Sequence, residues 1–147
     1  MHKVNLPSTY PDIEILLPHR GSMLLIDEIV KIDEDAAVSN ATAKDRWPLC
    51  DGSNVSSLVL IELVAQTSGL SNSMERLKKE GDNAQTKGWL VGIKKARLKV
   101  TDIPLGQLIV TETKNSFKFE GFREIEGICK MESKLIGEVT LQVVRAD

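Results

Sequence analysis

A chain of 147 residues, with 41% hydrophobic content, 27% charged content and a formal net charge of −2, suits one globular domain that buries about 68–70% of its unfolded surface without staples. The slight acidity gives no electrostatic footprint for nucleic acid. No stretch approaches the ~20 apolar residues of a membrane span, and residues 1–11 lack an apolar leader, which predicts a cytoplasmic protein. Cys50 and Cys129 lie far apart, and His2 and His19 are the two histidines, a pattern that argues against a disulfide framework or a metal centre; no cofactor is expected.

In chain order, Leu16 to Gly21 reads as a short helical turn ended by Pro18, because the residue before proline is pushed out of the α region. Met23–Lys31 and Ala36–Ala43 read as two strands joined by the turn residues Asp33–Asp35, a hairpin. The turn-forming segment Arg46–Asn54 leads to a helix predicted from Val55 to about Lys79, with Ser53 or Asn54 as its cap. Val55–Leu70 is apolar on nearly every side, so this half should be a buried central helix, and Met74–Glu80 turns amphipathic. Gly81-Asp-Asn83 stops it. From Gly88 the period becomes two, which predicts strands over Gly88–Val100, Gln107–Lys118, Phe119–Met131 and Leu135–Arg145, punctuated by Pro104-Leu-Gly106 and Ser133-Lys134. The whole is α+β: a curved antiparallel sheet wrapped around one long hydrophobic helix.

One residue breaks the apolar helix pattern. Glu62 sits in the middle of it, where burying a charged carboxylate costs several kcal/mol unless it is paired, hydrogen-bonded or employed. Burial there should raise its pKa toward the range of a proton carrier. The plainer reading is a half-buried carboxylate at a dimer seam, bonded to backbone or to Gln66 one turn on.

Four segments in order then resemble a known family. Leu17-Pro-His-Arg-Gly-Ser-Met-Leu-Leu-Ile-Asp27, Leu60-Ile-Glu-Leu-Val-Ala-Gln-Thr-Ser-Gly69, Val91-Gly-Ile-Lys-Lys-Ala-Arg-Leu-Lys99 and Ile103-Pro-Leu-Gly-Gln-Leu108 are similar to the 3-hydroxyacyl-carrier-protein dehydratases of the hot-dog fold, and more so to the dehydratase-like proteins of aryl polyene clusters. The resemblance implies a single hot-dog domain over residues 1–147 and dehydration of 3-hydroxyacyl thioesters on acyl carrier protein or coenzyme A. Fatty acid or aryl polyene biosynthesis is the implied setting. It also implies a homo-oligomer, dimer or higher, or a hetero-oligomer with another hot-dog protein. Glu62 falls on the family's catalytic glutamate, followed by the Ala-Gln pair that includes Gln66. The family's catalytic histidine falls on Pro48, which leaves His19, in the Leu-Pro-His-Arg loop with Arg20, as the substitute imidazole or as a loop-fixing residue.

Dehydration needs a base for the C2 proton, an acid for the leaving hydroxyl and donors on the thioester carbonyl. The backbone amides at the predicted helix start, Asn54, Val55 and Ser56, are candidates for that carbonyl, aided by the helix dipole. Trp47, Trp89 and Met23 are candidate tunnel walls or plain core. Cys50 reads as a small hydrophobe. Lys94, Lys95 and Arg97 concentrate positive charge on one strand; they suit an acidic carrier protein or serve as a lysine-protected edge. Two other functions fit the same pattern: a hot-dog thioesterase that uses one helix carboxylate, and a non-catalytic acyl-binding or assembly subunit.

Overall fold

The computed structural model describes residues 10–81 and 88–145. A short helix α1 (Ile13–Leu16) and a 3-10 turn (Gly21–Met23) precede the strands β1 (Glu28–Ile32) and β2 (Ala36–Thr42). A small strand β3 (Asn54–Ser56) leads into the long helix α2 (Val59–Glu80), after which come β4 (Gly88–Leu98), β5 (Asp102–Pro104), β6 (Leu108–Phe119), β7 (Phe122–Met131) and β8 (Lys134–Arg145). Six strands form one antiparallel sheet in the order β1-β2-β6-β7-β8-β4, while β3 and β5 pair separately. With α2 packed against the sheet, this is the hot-dog arrangement.

The helix lies close because the sheet face beneath it is made small. Along β2 the inward positions are Ala37, Ser39 and Ala41, all buried, alternating with half-exposed neighbours. At Gly127 a Cβ would stand 2.7 Å from Val64 Cγ2, and at Gly137 one would stand 2.9 Å from Leu60 Cδ1, so both glycines are required by helix approach. Leu60, Leu63, Val64 and Leu70 fill the space between with Ile109, Ile125 and Leu141. At about 25 cal/mol per Å² of apolar surface, this seam is the main stabilising term of the fold.

Three expectations are corrected. The central helix begins at Val59 rather than Val55; its cap is Leu58, which makes no side-chain cap bond, and neither Ser53 nor Asn54 caps it. Asn54, Val55 and Ser56 are extended and pair with Pro104, Ile103 and Asp102, because Val55 and Ile103 close the base of the core with no exposed surface. The predicted Met23 strand starts only at Glu28, since Gly21–Met23 forms the 3-10 turn. The helix stop holds at Gly81, which takes φ 72°; Asp82 and Asn83 lie outside the described residues. Among the described residues no helix is long and apolar enough to cross a membrane.

Strand β4 is one of the sheet's two outer strands, the other being β1: β8 occupies one of its edges and, among the described residues, no strand the other. It exposes Trp89, Leu90, Val91 and Ile93 by 62, 46, 55 and 50%. Open apolar edges of this kind are pairing surfaces.

Candidate active site

Glu62 stands one turn into α2 and faces the loop between α1 and β1. That loop is held by Arg20, which donates from Nη1 to the carbonyls of Leu17 and His19 at 2.7 Å each and from Nη2 to that of Glu14 at 2.8 Å. The bend so fixed brings His19 Nε2 to 3.2 Å from Glu62 Oε1. Arg20 therefore shapes the loop and is itself exposed; it lies outside the cleft that Glu62 borders.

Gln66, one turn beyond Glu62 and fully buried, joins helix and loop. Its Nε2 donates to Glu62 Oε1 at 2.8 Å and to the Met23 carbonyl at 2.7 Å, and its Oε1 accepts from Leu25 N–H at 3.0 Å. Glu62 Oε1 is thus engaged on two sides, and Oε2 accepts none of these bonds. Burial pushes the Glu62 carboxyl up, but the hydrogen bonds from His19 and Gln66 and the charge of His19 outweigh it, so the pKa lies below the ordinary glutamate value. This reverses the direction expected from the apolar helix alone. Near neutral pH Glu62 is a carboxylate, suited to accept a proton. His19 Nδ1 is shut from solvent without a partner.

The pair opens into a cleft of about 860 Å³ between the second half of α2 and the ends of β4, β6, β7 and β8. Ala65, Leu90, Phe119, Phe122 and Val143 supply apolar wall, and the far end carries Arg76, Arg123 and Arg145. Arg76 was readable in principle, since it lies about four turns from Glu62 on the same side of the helix; Arg123 and Arg145, on other strands, carry no local signal.

The proposed carbonyl donors lie elsewhere. Asn54 N–H bonds to Asp51 Oδ1, Ser56 N–H to Leu49 O, Ser57 N–H to Thr101 O and Leu58 N–H to Ser56 Oγ. The amides around the helix start are already spent, and Asn54, Val55 and Ser56 do not border the cleft. Trp47 is 3% exposed core with Lys44 over its ring at 5.6 Å and is likewise no cleft wall. Cys50 Sγ accepts from the Gly52 N–H, and burial pushes the Cys129 thiol up to about 11. No metal-binding cluster occurs among the described residues.

Lys94, Lys95 and Arg97 lie on the face of the sheet away from the helix. Gly137 meets Leu60, so Val139 and Leu141 also face inward, together with their β4 partners Ala96 and Ile93; Arg97 opposite Glu138 and Lys95 opposite Thr140 point the other way. Lys94 pairs with Glu124 at 3.2 Å. None of the three borders the cleft beside Glu62.

A family model described as ApeP-like, ApeP dehydratase, matches residues 11–147. The chain belongs to this family of ApeP-like dehydratases. The 3-hydroxyacyl-acyl-carrier-protein dehydratase FabZ of Pseudothermotoga lettingae is 30% identical over 142 residues, covering 90% of this chain and 92% of that one. FabZ of Streptococcus uberis is 33% identical over 115 residues, 69% of this chain and 73% of its own. Among solved structures, the dehydratase heterocomplex ApeI:P from Xenorhabdus doucetiae superposes with a TM-score of 0.82 at 18% identity, covering 94% and 93% of the two chains. A hypothetical thioesterase with coenzyme A from Streptococcus pneumoniae gives 0.63 at 13% identity over 81% and 84%. These likenesses to solved structures establish the fold. Within this ApeP-like chain the position of the standard histidine, Pro48, lies in a half-buried turn outside the cleft, and the imidazole that contacts Glu62 comes from the loop between α1 and β1.

Proposed function

We propose that the chain dehydrates 3-hydroxyacyl thioesters carried by acyl carrier protein, with Glu62 as the proton carrier and His19 as its partner. The observation that carries this reading is the His19-Glu62-Gln66 chain at the head of an apolar-walled cleft. Glu62 Oε2 takes the C2 proton, and the electron pair moves toward the thioester carbonyl. The protonated carboxyl then gives the proton to the C3 oxygen as that C–O bond breaks, so that enoyl thioester and water leave and the carboxylate is restored. His19 Nε2–H and Gln66 Nε2–H hold Oε1 throughout and keep Oε2 directed at the substrate. Membership of a dehydratase family and the FabZ relatives support the same chemistry.

The second strand edge supports a partner. Residues 88–99 hold Lys94, Lys95, Arg97 and Lys99 and no acid, so pairing β4 with its own copy sets like charges along one seam, whereas an acidic strand of a second hot-dog chain relieves them. ApeI:P is itself a heterocomplex. The proposed unit is a cytoplasmic heterodimer joined at β4.

The test is incubation with 3-hydroxyacyl carrier protein, alone and with the co-purified partner, read by intact mass. Loss of water that Glu62→Gln abolishes is the expected result. Free carrier thiol would make the protein a thioesterase, and turnover indifferent to Glu62→Gln would make it an assembly subunit.

A further inference from the structure

Charge at the far end of the cleft is matched within the chain. Glu75 accepts from Lys79 at 2.8 Å and from Lys118 at 3.2 Å and lies 3.6 Å from Arg123 Nη2; Glu80 pairs with Arg145, and Glu120 borders the same space. The unclaimed group nearer Glu62 is a neutral one. Asn72 stands half-buried on α2 and borders the cleft, and its orientation is dictated from behind. Lys118 pairs with the Asp35 carboxylate at 2.8 Å and, together with Asn115, holds its pKa below the ordinary value, so near neutral pH Asp35 can only accept. Asn115 must therefore turn Nδ2 toward it, at 3.2 Å, and the same nitrogen donates to Asn72 Oδ1 at 2.9 Å. An amide whose oxygen is committed in this way has its nitrogen left to offer. Asn72 Nδ2 donates to no group among the described residues.

Asn72 lies ten residues beyond Glu62 on one helix, about 15 Å along the axis at ~1.5 Å per residue. Ala65 lines the cleft between them. We infer that the Asn72 amide is a recognition donor for a neutral carbonyl oxygen of the thioester substrate while C2 and C3 lie at Glu62. The inference rests on the thioester reading and adds the element that selects substrate along the cleft. An extended chain gains ~1.2 Å per bond, so a carbonyl about ten to twelve bonds from C2 meets the amide. Two parts of such a substrate supply one: the second amide of the pantetheine arm, or a keto group far along the acyl chain.

The experiment measures binding to the full chain by calorimetry. One pair of ligands is S-octanoyl pantetheine and S-octanoyl-N-acetylcysteamine, which ends after the first amide. The other pair is the tridecanoyl thioester of N-acetylcysteamine with and without a keto group next to its terminal methyl. The expected result is that one added acceptor, the second amide or the keto group, tightens binding by about threefold or more; the pair that shows it identifies the source. In Asn72→Asp, which keeps the acceptor for Asn115 but offers no donor to the cleft, that gain shrinks by about threefold or more, with affinity for the ligands lacking the acceptor unchanged. Asn72→Ala, which the helix tolerates because alanine is its best former, should lose the same gain. A gain unchanged in both variants, or no gain from either acceptor in the native chain, overturns the subsite. A gain that depends on Asn72 in a chain that never dehydrates would instead remove the dehydratase reading and leave the subsite standing.

Discussion

Replacing Gln66 by leucine tests the logic of the site most directly, because that side chain has no solvent exposure and spends both ends of its amide. Leucine fills a similar volume, so packing changes little. What is lost is three hydrogen bonds. The Met23 carbonyl belongs to a residue 49% exposed and can turn to water, but the Leu25 N–H belongs to a residue 1% exposed and cannot. The orphaned buried donor costs about 1–3 kcal/mol, and each of the two other lost bonds adds about 0.5–1.5, for a total of about 2–6 kcal/mol. In a chain of this size each kcal/mol moves the melting temperature by about 2–4 °C, so thermal denaturation should show a fall on the order of 10 °C. A second effect follows from charge. Glu62 loses a donor that lowers its pKa, so the acid limb of the pH–rate profile should move to higher pH. Unchanged melting within about 2 °C, or an acid limb moving to lower pH, would refute the account of Gln66 as the brace between loop and carboxylate.

Other perturbations carry definite signs. His19→Ala removes the larger of the two hydrogen bonds that depress the Glu62 pKa; the acid limb of turnover should move up in pH and the rate fall by about tenfold or more, the weight of one hydrogen bond to a charged group, and a rate within about threefold of native would end the assignment. Gly127→Ala sets a methyl against Val64 and should destabilise by about 1–3 kcal/mol in urea titration without changing KM. Asp35, Glu62 and Glu75 all have folded pKa values below their unfolded ones; their contribution is complete above the ordinary carboxylate range and fades as pH falls through the folded values, so Glu75→Gln should flatten the acid limb of a stability–pH curve. If β4 repels its own copy, sedimentation of the chain alone should give monomer at low salt and self-association only as salt rises; a tight homodimer at low salt would contradict the charge argument.

The legible part of the fold was the part written in local pattern. Alternation along residues 108–119 and 122–131 marks β6 and β7 because each strand has one face on the helix. The apolar run around Leu60–Leu70 marks α2 because every side of it meets the core or the loop. Its start escaped notice for a physical reason. Residues 55–58 are apolar enough to continue a helix, but Val55 is held extended by Ile103, a partner forty-eight residues away that no window contains. The absence of a side-chain cap removed the other signal. In the site, Gln66 was visible as the residue one turn past Glu62, whereas the His19 contact depends on how Arg20 folds the loop.

That dependence explains why the Glu62 carboxyl departs from the expectation of its neighbours in sequence. Desolvation is the largest single influence on it and points upward, as an apolar helix predicts. Two donors, Gln66 one turn on and His19 brought by the loop, reverse the outcome, since together their hydrogen bonds and the charge of His19 favour the carboxylate by more than partial burial disfavours it. A glutamate kept ionised at the head of an apolar-walled cleft is a base before it is an acid. In the standard pattern an imidazole placed just before the helix shares the proton transfers. Here that position is Pro48, and His19 contacts the same oxygen that Gln66 holds. In the proposed mechanism only Oε2 is left to face substrate and both proton transfers run through that one atom, which requires the C2 hydrogen and the C3 hydroxyl to leave from the same side of the acyl chain. A stereospecifically deuterated 3-hydroxyacyl substrate reads this: syn loss is expected, and anti loss would demand a second proton carrier that Glu62 cannot be.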